Sequence, residues 1–181
     1  CIRDSTEGVQ KIGTDDLTVT GATVDSVVHT AGSNTATVNV TVTDDSIANV
    51  SITAKKSIVD MAGNPLVQAV VDASQTVDTK NPGVTITDDQ SGKSFDGENT
   101  VAYTLTFTEG VQKIDANDLT VAGATIDSVV HTAGSNTATV NVTVTDDSMA
   151  NVSITAKKSI VDMAGNPMVQ AVVNDLSLIH I

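Results

Sequence analysis

The residues of this sequence with most chemical capacity are its acids. Of 22 carboxylates, 19 are Asp and 3 are Glu, against 9 Lys and Arg, which leaves a formal net charge of −13. Short carboxylates beside Asn and Gly suit two tasks: closing tight turns, and offering oxygen ligands to a hard divalent cation. The run Asp162-Met163-Ala164-Gly165-Asn166-Pro167 combines both. Gly165-Asn166 supplies a turn that needs positive φ, and Pro167 opens an edge strand. Asp162 and Asn166 offer two oxygens.

Other chemistry is thinly supplied. His29 and His131 occupy one position in two copies of a repeat, so neither has a second histidine near it in sequence. Each ends a strand beside a Gly-containing turn and is expected at the surface. The sequence holds no nucleophile elbow and no phosphate loop. Asp146-Asp147 are neighbours, which points their side chains apart in a strand, unlike two carboxylates across a cleft. No enzyme is expected. Sugar platforms use exposed Trp or Tyr; there is no Trp, and the single Tyr, Tyr103, lies in an inward-facing pattern. The basic spots Lys55-Lys56 and Lys157-Lys158 read as solvated strand ends. So acidic a surface repels phosphate backbones, which argues against a nucleic-acid partner. No apolar run approaches the ~20 residues of a membrane helix.

The elements that must position these groups are strands. Val (28) and Thr (27) make up 55 of 181 residues, and only three residues are aromatic. That composition favours an all-β chain. An internal repeat organises it: Glu7-Gly8-Val9-Gln10-Lys11-Ile12 recurs as Glu109-Gly110-Val111-Gln112-Lys113-Ile114. At this offset of 102, residues 6–71 align with 108–173, and seven of the 66 pairs differ. So long a period indicates whole domains in tandem. The ends stand apart. Leu176–Ile181 can be encoded by a DNA string whose reverse complement, in a shifted frame, encodes Met-Cys-Ile-Arg-Asp-Ser, and the chain begins Cys1-Ile2-Arg3-Asp4-Ser5. The string looks like a sequencing-library adapter, so residues 1–5 and 176–181 are expected to be foreign. The expected organisation is an N-terminally truncated module at 6–76 and a complete one at 77–175.

In the complete module, apolar and polar residues alternate at Val84–Thr87, Val101–Phe107, Leu119–Val121, Val140–Thr145 and Val152–Ala156. With Ala124–Thr132 and a last strand from Pro167 to Val173, seven short strands predict tandem immunoglobulin-like β-sandwich modules. A cysteine pair and a tryptophan are lacking, so the core rests on aliphatic packing, with Tyr103 and Phe107 as its largest pieces. The first copy has no aromatic residue and is expected to be marginally stable, with uncovered sheet edges.

The runs Thr106-Phe107-Thr108-Glu109-Gly110-Val111, Asp118-Leu119-Thr120-Val121 and Asp162-Met163-Ala164-Gly165-Asn166 resemble the bacterial Ig-like repeats of large secreted surface adhesins. Val77-Asp78-Thr79-Lys80-Asn81-Pro82 resembles the linker between such repeats, although Lys80-Asn81 replace smaller residues. The resemblance implies a secreted extender at the bacterial cell surface that binds Ca²⁺ and holds out a distal adhesive domain. Its partners would be neighbouring repeats of the same chain. The alternatives are a carbohydrate-binding module and an accessory module of a secreted enzyme.

Alternating strand direction sorts the loops between the two poles of a sandwich. Glu109, Asp162, Asn166 and the linker's Asp78 fall at one pole, facing Asp44 and Asp45 of the preceding module. Asp146-Asp147-Ser148 falls at the other. Like charges at a joint repel, and Ca²⁺, which takes six to eight oxygens, would remove that repulsion and stiffen the linker. These six residues are the expected metal ligands. The rival reading gives the same residues only turn-making and solubility. Without cysteine in the repeats, folding need not await an oxidising compartment.

Overall fold

The computed structural model describes residues 7–72, 74–90, 99–144 and 149–180, with backbone alone for 149–150 and 175–180. The loop at 146–148 and Phe95, both invoked above, lie outside the described residues. The chain divides into two compact units, Cys1–Lys80 and Asn81–Ile181. Each is built almost wholly of antiparallel strands.

The first unit contains β1 (Leu17–Thr20), β2 (Thr23–Val28), β3 (Thr37–Thr41), β4 (Ile47–Ala54), β5 (Val70–Val71) and β6 (Gln75–Asp78). β4 pairs with β1 on one edge and, in succession, with β5 and β6 on the other. β2 and β3 form a separate hairpin. Val77 and Asp78, read above as linker, are thus the end of a strand, with Asp78 opposite Ile47.

The second unit contains β7 (Val84–Asp88), β8 (Thr100–Phe107), β9 (Leu119–Ala122), β10 (Thr125–Val130), β11 (Thr137–Thr143), β12 (Met149–Ala156) and β13 (Val172–His180). Four strands form one sheet in the order β10-β11-β8-β7, and three form the other in the order β13-β12-β9. The seven strands and two sheets are those the alternation predicts. One boundary differs. Pro167 makes only an isolated bridge to Val161, and the last strand begins at Val172. Proline cannot donate to a ladder, and after that bridge the chain loops before rejoining the sheet. β13 then runs on to His180, pairing with Met149–Val152 as β6 pairs with Ile47–Val50. The residues at 176–180 therefore extend the sheet, whatever their origin.

The core follows the period-2 pattern. In β8, Val101, Tyr103, Leu105 and Phe107 are buried while Thr100, Thr104 and Thr106 face outward. β11 sets Val140 opposite Tyr103 and Val142 opposite Val101. Among the described residues, they form with Ile114, Leu119, Val152 and Ile154 a cluster of 17 buried residues in which Tyr103 is the largest fully buried side chain. The first unit's cluster holds four: Val9, Leu17, Ala54 and Ile58. At about 25 cal/mol per Å² of apolar surface, that difference sets how firmly each unit holds together.

Candidate metal centre

Two loops bring Glu109 to Asp162. After β8 the chain passes beside the loop containing Gly134, and Gly110 sits so close that a Cβ there would strike the Gly134 carbonyl. The chain then bridges Val111 to Asp162, and the Gln112 amide donates to the Val161 carbonyl. This clasp fixes Glu109 two residues from the Asp162 turn.

The turn is built on one carboxylate. Asp162 Oδ1 accepts from the amides of Gly165 (2.6 Å) and Asn166 (2.8 Å), and Oδ2 accepts from Asn166 Nδ2 at 2.8 Å. Gly165 has φ +99°, a conformation that glycine adopts without strain. Asp162 is only 1% exposed. Burial pushes its carboxyl pKa up, but the hydrogen bonds from Asn166, Gly165 and Ala164 outweigh burial and hold it below the usual carboxylate value. The side chain is thus a buried anion. Asp60 makes the same turn in the first unit but is only half-buried.

Within the second unit, one carboxylate oxygen each of Glu109 and Asp162 lie within 4.8 Å of each other, with Glu109 half-buried. Asp78 ends β6, and its Oδ1 accepts from the Lys80 amide at 2.9 Å. The next residue, Thr79, holds the strand end to the turn before β4. Its amide donates to the Ser46 carbonyl, and its Oγ1 lies 2.9 Å from the Thr43 carbonyl. Nothing in the sequence singled out Thr79, because a threonine in a polar stretch carries no pattern. Asn166 reaches the group through Asp162, to which it donates two hydrogen bonds. Asp44 and Asp45 are exposed in the Thr43–Ser46 turn of the first unit, Asp45 with φ 53°.

A family model described as a bacterial Ig-like domain matches residues 78–177, more than half of the chain, a span that includes Asp78, Glu109 and Asp162. The chain belongs to the bacterial Ig-like domain family. No curated protein and no solved structure matches it. Bacterial Ig-like domains are commonly surface-associated and typically non-catalytic. Among the described residues, no helix is long and apolar enough to cross a membrane.

The two histidines of this Ig-like chain correct the expectation of surface placement. His29 and His131 are 8% and 5% exposed. Nδ1 of His131 accepts from the Ile114 amide at 3.2 Å, so Nε2 carries the proton and faces the Ser135 carbonyl at 3.2 Å. His29 does the same between Ile12 and Ser33. Each ring satisfies backbone groups where two loops cross, a role with no local sequence signal. The lysines are structural too: Lys55 and Lys157 donate to the carbonyls of Asp15 and Asn117, at 2.8 and 2.7 Å, in short 3₁₀ turns.

Proposed function

We propose that this chain is part of the extender of a bacterial cell-surface adhesin, in which Ca²⁺ at the joints between Ig-like modules stiffens the array that carries a distal adhesive domain. The observation that carries this reading is the approach of Glu109 to Asp162 within 4.8 Å in the second unit, Asp162 being a buried anion. Unit charges about 4 Å apart repel by roughly 1 kcal/mol in water and several-fold more near a protein surface. A divalent cation reverses that sign and binds carboxylate and carbonyl oxygens alike. In this reading Asp78, Glu109 and Asp162 are the inner ligands. Asn166 holds Asp162 in place and adds an amide oxygen, and Asp44 and Asp45 add charge from the preceding module. Secretion to the cell surface, where Ca²⁺ is abundant, completes the proposal. A sugar-binding role finds less support, since Tyr103 and Phe107 are both buried.

Thermal unfolding of the full chain in chelator and in about 1 mM Ca²⁺ tests it, that concentration suiting sites of extracellular affinity. Tenfold excess over Kd stabilises by about 1.4 kcal/mol, so Tm of the second unit rises by roughly 5 °C or more. Asp162→Ala abolishes the rise. Asp127→Ala, which loses only an exposed hydrogen bond from Thr143, retains it. Identical melting in chelator and Ca²⁺ overturns the cation, and equal effects of the two substitutions return these acids to turn-making.

A further inference from the structure

The turn between β10 and β11 crosses Val111–Ile114, the segment that follows β8, and backbone bonds tie the two together. The Val111 amide donates to the Ser135 carbonyl at 3.2 Å, and the Gly134 amide to the Val111 carbonyl at 2.8 Å. The imidazole of His131 is buried in the same crossing, with Nδ1 accepting from the Ile114 amide and Nε2 facing the Ser135 carbonyl. Only the neutral ring with its proton on Nε2 satisfies this arrangement, because the Nδ1 lone pair is already taken by an N–H. A second proton, on Nδ1, would set donor against donor across 3.2 Å. Rotating the ring away would strand the Ile114 amide, and Ile114 belongs to the buried cluster.

The charged groups around the crossing offer a protonated ring little relief. Lys113, next to Ile114, sets its ammonium 2.6 Å from the His131 carbonyl, so a charged ring would add a second positive charge there. The acids of the short 3₁₀ turn that follows are engaged elsewhere. Asp115 Oδ1 accepts from the Asn117 amide, and Asp118 accepts from the Asp115 amide and from Ser159 Oγ. Glu109 stands two residues before Val111, and Asp162, bridged to Val111, holds its own turn. Residues 132–136 carry no titratable side chain.

We propose that His131 is an acid-sensitive latch, whose protonation opens the crossing between the β10–β11 turn and Val111–Ile114 and so makes the stability of the second unit depend on pH. The folded state binds one proton fewer than the unfolded chain, where an imidazole titrates near about 6.5. The stability this group contributes is therefore present above about pH 6.5 and is lost as pH falls below it. His29 meets Ile12 and Ser33 in the same way, so the latch belongs to the repeat and not to one copy. It stands apart from the cation reading, since its bonding partners Ile114 and Ser135 are not among the proposed ligands.

Urea unfolding of the full chain at about pH 7.5 and about pH 5.0, followed by tyrosine fluorescence, tests the latch. Tyr103 is the only tyrosine and the sequence has no Trp, so the signal reports the second unit alone. Exclusion of one proton with an unfolded midpoint near about 6.5 raises the unfolding constant roughly 30-fold between those two pH values. His131→Asn keeps an oxygen acceptor for the Ile114 amide and does not titrate, so its rise should be at least about tenfold smaller. His29, His180 and the carboxylates are common to both proteins, and their contributions cancel. An equal rise in the two proteins overturns the proposal. Nitrogen NMR of the ring in the unsubstituted chain gives a second reading that needs no variant. At about pH 7.5 the expected spectrum has a bare Nδ1 coupled to the Ile114 amide. A folded second unit at about pH 5.0 with both ring nitrogens protonated and the Ile114 amide unshifted overturns the latch as well.

Discussion

Asp60 shows what the Asp-x-x-Gly-Asn turn does when it stands near solvent. The Asn64 side chain, then the amides of Asn64, Ala62 and Gly63, hold its carboxyl below the ordinary 3.8. A group whose pKa is lowered on folding stabilises the folded state above its unfolded pKa, and that contribution is lost as pH falls through the folded value. Asn64→Ala removes the largest cause, so the Asp60 midpoint in a carboxyl-carbon NMR titration should move up toward 3.8. An unchanged midpoint would contradict that assignment. His131 offers a second residue-scale test. Replacing it by Ala strands the Ile114 amide, while the Ser135 carbonyl keeps its bond from the Val111 amide, at a cost of roughly 1–3 kcal/mol in urea unfolding. Lys158→Ala, at an exposed site, should stay within about 0.5 kcal/mol.

At the scale of elements, β8 carries the second unit. It is bonded on both sides and sends four side chains into the core, so its two faces should respond to mutation very differently. Tyr103→Ala leaves a large void under two sheets and should cost about 3–5 kcal/mol. Thr104→Ala, one residue along but outward-facing, should change stability by no more than about 0.5 kcal/mol. Comparable losses at the two positions would mean that the alternation does not report burial. The hairpin of β10 and β11 carries a bulge between Ile126 and Ser128, which leaves Asp127 as the extra residue on the solvent side, accepting from Thr143. The first unit repeats the bulge between Val24 and Ser26, with Asp25 and Thr41 in the same roles.

For the whole molecule, near-identical sequence does not mean equal stability. Among the described residues, four form the buried cluster of the first unit against 17 in the second, although the residues they share differ little. Native-state hydrogen exchange should therefore find the amides of residues 7–71 opening at least about 100-fold more often than those of the second unit, the ratio given by roughly 2.7 kcal/mol. Equal protection would show that the smaller core suffices.

Strand positions, the repeat, the sandwich and the inward face of β8 were legible in the sequence because a strand's pattern is local: side chains alternate every residue, and turn residues punctuate them. The Asp162 turn was legible for the same reason, since Asp, Gly and Asn carry its geometry within five residues. Burial was not legible wherever it depends on what lies across. His131 resembles any strand-end histidine until a distant amide and a carbonyl converge on its two nitrogens. Pro167 looks like a strand start until the chain loops away from its single bridge. Asp60 and Asp162 are equivalent in sequence, yet only one is a buried anion. Val38 and Val140 are the same residue in the same context, and a neighbouring strand alone separates a half-exposed side chain from a core one. Local covalent order determines which way a side chain points; long-range packing decides whether water or protein meets it there.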